Sequence, residues 1–380
     1  MIKIRKKEDC CGCTACMSVC PRQCIAMNQD NEGFLYPQVD ETKCVSCGLC
    51  EKICPVQNCT EKEYTYPEAF AAYAINPEIR MHGSSGGIFP VLAENIIEMN
   101  GVVYGAAFDR EFRVCHTRVT TFEELKNLYG SKYVQSNLNG IFNLVKEDLN
   151  NGKKSLFSGT ACQIAGLKCF LGREYKNLYT CDVLCHGVPS PVLWEKFLME
   201  QKLSRNVDIK AVDFRDKSTG WINYSFTIEF SNGEKRTIVY RQDDYMKMFL
   251  GNLSLRPSCY TCKFKKINRC SDISIGDFWG IERVLPSIDD GKGISVILLH
   301  SAKGRELLKK CEKELRTFQV DVDAALPITS DARRSVNKPK KRRRFFYIMK
   351  KSSFSQLKKY TKPSFFERLK WKYKGFIGNI

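Results

Sequence analysis

Apolar and polar positions divide the chain into two textures. Over residues 1–62 the apolar runs are short, and "IAMNQDNEGFLYPQVD" reads as two brief strands around an Asn/Asp/Gly turn. From Pro67 onward the runs lengthen. "EAFAAYAI", "VVYGAAF", "DISIGDFWG" and "GISVILLH" predict strands. "MHGSSGGIFPVLAENIIEMNG" predicts a Gly/Ser loop, an amphipathic helix and a glycine stop. "TFEELKNLYG" opens with a capping-box-like Thr121 and Glu124 and predicts a helix. "KSLFSG" followed by "TACQIAGLKCFLG" reads as strand then helix, and so does "NLYTCDVLCHGVPSPVLWEKFLMEQ". "WINYSFTIEFSNGEKRTIVY" is a hairpin turning at Asn232-Gly233, and "AKGRELLKKCEKEL" is a late helix. The expected architecture is a small α+β domain over 1–62, a larger mixed α/β domain over 63–330, and a basic helical tail over 331–380. No run reaches the roughly 18 to 20 apolar residues that span a bilayer.

Cysteine usage changes the picture. Twenty of 380 residues are cysteine, and the charged start "MIKIRKKEDC" lacks the apolar core of a signal peptide. The expectation is a cytoplasmic, reducing compartment, where clustered thiols bind metal rather than pair. Cys10, Cys13, Cys16 and Cys20, followed by Pro21, give C-x2-C-x2-C-x3-C-P. The run recurs at Cys44, Cys47, Cys50 and Cys54, followed by Pro55, and nothing else in the chain repeats. This is the spacing of bacterial ferredoxins with two 4Fe–4S clusters, where each fourth cysteine serves the other cluster. One cluster is thus expected on Cys10, Cys13, Cys16 and Cys54, the other on Cys44, Cys47, Cys50 and Cys20. The x3 step is expected to put each fourth thiolate on a short helix pointing to the partner cluster. Zinc also takes C-x2-C pairs but has no use for the duplicated x3-C-P step. Cys11, Cys24 and Cys59 match no ligand position and read as spectators.

"SSGGIF", "VVYGAAF", "GSKYVQS", "LFSGTACQIAGL", "CHGVPSP", "CYTCKFK" and "SDISIGDFWG" occur in that order. Together, over roughly residues 1–330, they resemble the beta-subunit family of coenzyme F420 hydrogenases and dehydrogenases. The resemblance implies FAD and iron–sulfur clusters in an α/β domain. Ala161 departs from it, since proline usually precedes that cysteine in the family.

Ser84, Ser85, Gly86 and Gly87 precede a helix and are suited to a phosphate at its positive end, or to a plain helix cap. Ser131 and Lys132 are candidate anion contacts and Tyr133 an aromatic wall, although Lys132 also fits a solvated surface. His186 is a candidate catalytic group or a structural loop residue. Asp277 and Trp279 are candidates for the lining of the same cavity, with buried packing the simpler reading for the tryptophan. Cys162 and Cys185 each follow a predicted strand, and strand ends of an α/β sheet gather at one edge. With Cys259 and Cys262 they make a candidate third 4Fe–4S site, one zinc or no metal being the alternatives and Cys270 the reserve ligand. Cys115, Cys169, Cys181 and Cys311 read as core or spectator thiols.

Charge is uneven. Residues 333–380 carry 17 Lys+Arg against one acid, whereas the net charge of the whole chain is +18. Aromatics interleave with the cations there, which suits an anionic membrane surface on the inner face. Short helices docked through Phe345, Phe365 and Trp371 are the alternative. The body contains no nucleic-acid module, which argues against nucleic acid. Two functions remain open: an FAD-dependent iron–sulfur reductase of unread substrate, supplied by a donor such as ferredoxin or a reductase subunit, or a non-catalytic electron-transfer subunit.

Overall fold

The computed structural model describes residues 1–58, 66–138 and 140–361. The N-terminal part is built from one hairpin and two single-turn helices. β1 (Ile25–Gln29) and β2 (Leu35–Val39) pair antiparallel, with Ile25 opposite Val39. Their turn is set by Asp30, whose Oδ1 accepts from the amides of Glu32 and Phe34 at 2.9 Å each. The turns Ala15–Ser18 and Leu49–Lys52 hold Cys16 and Cys50. Cys20 and Cys54 therefore lie just past these turns, not on them.

The large domain is organised by an eight-stranded mixed sheet. Its strands are β3 (Glu68–Ala74), β4 (Val102–Phe108), β5 (Val114–Val119), β6 (Ser155–Thr160), β7 (Leu178–Val183), and, after an insertion, β11 (Ile273–Asp277), β12 (Ser295–Leu299) and β13 (Leu315–Val320). The insertion is a three-stranded antiparallel sheet of β8 (Ile209–Asp216), β9 (Ser225–Phe230) and β10 (Lys235–Val239). The large sheet runs β13-β3-β12-β11-β7-β6-β4-β5. Its middle, β4-β6-β7-β11, is parallel, and the other pairs are antiparallel. Central strands buried on both faces read as continuous apolar runs, and β12 (SVILL) is buried at every position.

Most predicted elements lie where the pattern put them, including the hairpin of β9 and β10, with Gly233 at φ +86°. β5, β8, β13 and the helices Pro77–His82, Ile141–Asn150 and Asp244–Leu250 were not predicted. The first two strands carry charges in their runs, and β13 is an edge strand whose exposed face is polar (LRTFQV).

The tail docks on the body as far as residue 361. Helix Arg342–Met349 buries Phe345, Phe346 and Met349 in the core formed by helix Pro191–Arg205 and the three-stranded sheet. Arg342 forks onto Glu32, with contacts of 3.0 and 2.6 Å, and Phe346 meets the edge of Phe34 at 6.3 Å. This helix therefore clamps the N-terminal hairpin to the large domain. The short-helix alternative accounts for Phe345; Phe365 and Trp371 lie outside the described residues, as does Cys59.

Candidate functional site

The cysteines of both runs are shaped by tight loops. Gly12 and Gly48 take positive φ (+74° and +75°), and Thr14 and Ser46 adopt the same left-handed region. Such bends turn successive thiols toward a common centre. Cys10 lies in the electrostatic field of Cys54, and Cys16 in that of Cys10 and Cys54. Cys13 in turn senses Cys16 and Cys10. Cys10, Cys16 and Cys54 thus lie within one another's field, Cys13 stands beside Cys10 and Cys16, and Cys16 also feels Cys50 of the second run. Burial is the largest cause that raises the thiols of Cys10 and Cys16, the latter to about 12. Metal coordination overrides such a shift, because a coordinated thiol is deprotonated outright.

Cys20, Cys44, Cys47 and Cys50 line a second hollow near the surface, and Cys24 stands with them. The sulfurs of Cys20 and Cys24 are 3.4 Å apart, so Cys24 is not remote from the chemistry. The amide of Ile2 donates to Cys50 Sγ at 3.2 Å. Among the described residues, no three His, Cys, Asp or Glu side chains gather as one metal ion would need. A cubane asks for a wider set, since each thiolate binds its own corner iron.

A cavity of about 520 Å³ opens at the carboxyl edge of the parallel strands. β6 ends at Thr160 and delivers Cys162 from the first turn of helix Ala161–Leu171; β7 ends at Val183 and delivers Cys185. The turn Pro257–Thr261 supplies Cys259 and leads to Cys262. All four line the cavity, from three separate parts of the chain. Burial pushes the Cys259 thiol up to about 12 and raises those of Cys185 and Cys262. Cys270 is not among the lining residues; it lies in the field of Lys168, Asp182 and Cys169. Cys11, read as a spectator, lines this cavity beside the free Cys162 thiol. Helix Ala161–Leu171 approaches the first cysteine loop so closely that a Cβ on Gly166 would lie 2.6 Å from that of Cys13. The cavity wall carries Lys6, Arg256, Lys263, Lys265 and Arg269 against Glu8 and Asp9. A thiolate-ligated cluster is anionic, so both the donor set and the surrounding charge fit one.

The Ser/Gly loop is assembled differently from a free phosphate cradle. Ser85 Oγ donates to Ile294 O at 2.8 Å, and the Gly86 amide donates to Ser295 Oγ at 2.9 Å. Lys132 Nζ donates to three backbone carbonyls, those of Asn127, Tyr129 and Gly130. These groups are already engaged. Ser84 and Ser131 do meet, with their hydroxyls 2.8 Å apart, and Tyr133 lies beside Ser131 and Arg215. Arg215 was not singled out in the sequence. It is buried, donates to Ser84 O at 3.0 Å and Asp277 Oδ1 at 2.7 Å, and has no partner for its Nε among the described residues. Trp279 is half exposed and stacks on Trp221 at 5.1 Å, contrary to the packed-core expectation.

Residues 9–58 match the family model of the 4Fe-4S dicluster domain. A 7Fe ferredoxin of Hydrogenibacillus schlegelii is 34% identical over 68 residues, which is 17% of this chain and 80% of that protein. The N-terminal part of the chain belongs to the dicluster ferredoxins. An NADH-quinone oxidoreductase subunit I of Geobacter metallireducens is 36% identical over 55 residues, 13% of this chain and 42% of that protein. Residues 152–322 match the family model for the C terminus of the coenzyme F420 hydrogenase/dehydrogenase beta subunit. Among solved structures, a chain of the F420-reducing NiFe hydrogenase complex from Methanosarcina barkeri aligns with TM-score 0.45 and 16% identity, covering 78% of this chain and 93% of that one.

The dicluster ferredoxin part thus carries the iron–sulfur character of the chain, and residues 152–322 are similar to the C terminus of a hydrogenase/dehydrogenase beta subunit. Within residues 152–322, His186 is held on both sides. Its Nδ1 is 3.0 Å from Asp331 Oδ2 and its Nε2 is 2.7 Å from Asn252 Oδ1. Its ring stands edge-on to Phe249 at 5.2 Å, and the neighbouring Cys185 and Gly187, not His186, line the cavity. This is the geometry of the structural alternative. No helix among the described residues is long and apolar enough to cross a membrane.

Proposed function

We propose that this chain is an iron–sulfur oxidoreductase in which Cys162, Cys185, Cys259 and Cys262 hold a third 4Fe–4S cluster next to the dicluster ferredoxin domain. The observation that carries this reading is the convergence of these four thiols on one cavity with a cationic wall. Cys10, Cys13, Cys16 and Cys54 would hold one N-terminal cluster, and Cys20, Cys44, Cys47 and Cys50 the other. When bound, such clusters supply one-electron transfer, and an FAD supplies the pairing of electrons that a hydride acceptor needs. Ser84, Ser131, Tyr133 and Arg215 are the residues we assign to that FAD. A donor such as ferredoxin or a reductase subunit would face the N-terminal part, and the chain would work in the cytoplasm.

Iron and sulfide analysis of anaerobically prepared full-length protein tests the third site. About twelve iron atoms are expected in the wild type and about eight in Cys259→Ser, at four per cluster. Equal iron in the two proteins would sink the assignment. Bound flavin is read from the same samples, and Arg215→Met should lower its occupancy without changing the iron content. If the purified protein reduces an artificial acceptor only when a partner subunit is added, the electron-transfer-subunit reading replaces the enzyme reading.

A further inference from the structure

We propose that Arg256 sets the redox potential of the cluster held by Cys10, Cys13, Cys16 and Cys54, and ties that cluster to the neighbouring cavity. The inference rests on the cysteine assignment above. Arg256 is 1% exposed, and its guanidinium is spent on the N-terminal part. Nε donates to Cys10 O at 2.8 Å, and Nη2 donates to Leu35 O at 2.9 Å and lies 3.5 Å from Cys10 Sγ. Nη1 donates to Gln135 Oε1 at 3.0 Å, while Gln135 Nε2 donates to Cys11 O at 3.2 Å. The cation also lies 4.4 Å from the ring centre of Tyr36. The loop is cut to its shape: a Cβ on Gly12, at φ +74°, would stand 2.8 Å from Arg256 Nη1.

Among the described residues no carboxylate pairs with this cation. The other buried arginines differ: Arg80, Arg215, Arg269 and Arg342 meet Asp290, Asp277, Asp182 and Glu32. A buried cation without a counter-charge is costly, so burial of Arg256 calls for negative charge supplied from elsewhere. The thiolates around Cys10 are the nearest source. The same residue begins the turn that carries Cys259, whose amide donates to Arg256 O at 3.0 Å. One side chain therefore grips the first cysteine loop while its backbone positions a thiol of the cavity.

Uptake of one electron from a chemical reductant breaks no bond, moves no proton and adds one negative charge at the cluster. A fixed guanidinium and an N–H directed at a ligand sulfur both favour the reduced form, since outer-shell hydrogen bonds and charge tune such centres. Arg256 is thus a positioning and tuning residue, not a catalytic one.

The test is a redox titration followed by electron paramagnetic resonance on full-length wild type, Arg256→Gln and Arg256→Lys. The signal altered by Cys16→Ser marks the cluster concerned. At a fixed poise, Arg256→Gln should lower its reduced-to-oxidised ratio about tenfold or more. The signal altered by Cys47→Ser should not move. Arg256→Lys keeps the charge but loses the fork, and should fall between the two. Wild-type iron with an unmoved signal in Arg256→Gln overturns the inference while leaving the cysteine assignment intact. If Arg256→Gln loses iron, Arg256→Lys decides: a lowered ratio supports the inference and an unchanged one overturns it. Wild-type protein that takes up no iron fails the parent reading instead.

Discussion

At the scale of single residues, burial decides which groups can titrate. His116 lies on β5, stacked on Phe157 at 5.2 Å. Its Nε2 is 2.9 Å from Ser158 O and can only donate there; in the neutral ring Nδ1 then accepts from Ser136 Oγ at 2.6 Å. Burial, its largest cause, pushes the imidazole down to about 4 from its ordinary 6.5. Between those pH values the unfolded chain binds a proton that the folded chain refuses. Stability should therefore be full above about pH 6.5 and fall as the pH drops toward 4, by up to about 1.4 kcal/mol per pH unit for this one group. His116→Gln keeps a donor and an acceptor but cannot titrate. Denaturant unfolding at pH 7 and pH 5 should show a shallower loss in that variant, and an identical loss would remove His116 from the account.

At the scale of elements, the clamp helix Arg342–Met349 is the piece whose role the structure most changes. A sequence of mixed cations and aromatics reads as an exposed arm. Folded, the same residues split by helical period into a buried face of Phe345, Phe346 and Met349 and an exposed face with Arg343, Arg344 and Tyr347. Phe345→Ala should cost about 3–5 kcal/mol in denaturant unfolding, as expected for emptying a fully buried aromatic site. A cost near zero would mean that the helix is not part of the core. Deletion from residue 333 should accordingly destabilise the body and not merely trim it.

At the scale of the whole molecule, the tail adds a patch of cations on the surface. Lys340, Arg343, Arg344 and Lys350 are exposed, and none forms an ion pair among the described residues. We expect this face to bind vesicles containing anionic lipid and to release them as salt rises, because exposed charges are screened within about 8 Å at physiological ionic strength. Charge reversal at Arg343 and Arg344 to Glu should abolish binding while leaving the iron content unchanged. Binding that persists in those variants would assign it to another surface.

The sequence by itself determined the dicluster ferredoxin part, because ligand spacing in a short loop is local information: the duplicated x2 and x3 steps before proline are read without any tertiary contact. It also determined most strands of the large sheet, whose buried runs are mainly apolar. Motif order likewise pointed to the beta-subunit part. Motif order and strand ends named Cys162, Cys185, Cys259 and Cys262 as candidates, but only the tertiary structure brings them to one cavity. Cys162 and Cys185 follow neighbouring parallel strands, while Cys259 reaches them through an insertion of some seventy residues that no local pattern reports. It likewise moved Cys11 to the cavity wall, set Cys270 apart, engaged Lys132 with backbone carbonyls and revealed Arg215 and Arg256. A buried arginine and a solvated one are spelled alike in sequence. What separates them is the set of carbonyls, carboxylates and sulfurs that the folded chain brings to the guanidinium, and that set exists only once the layers have packed.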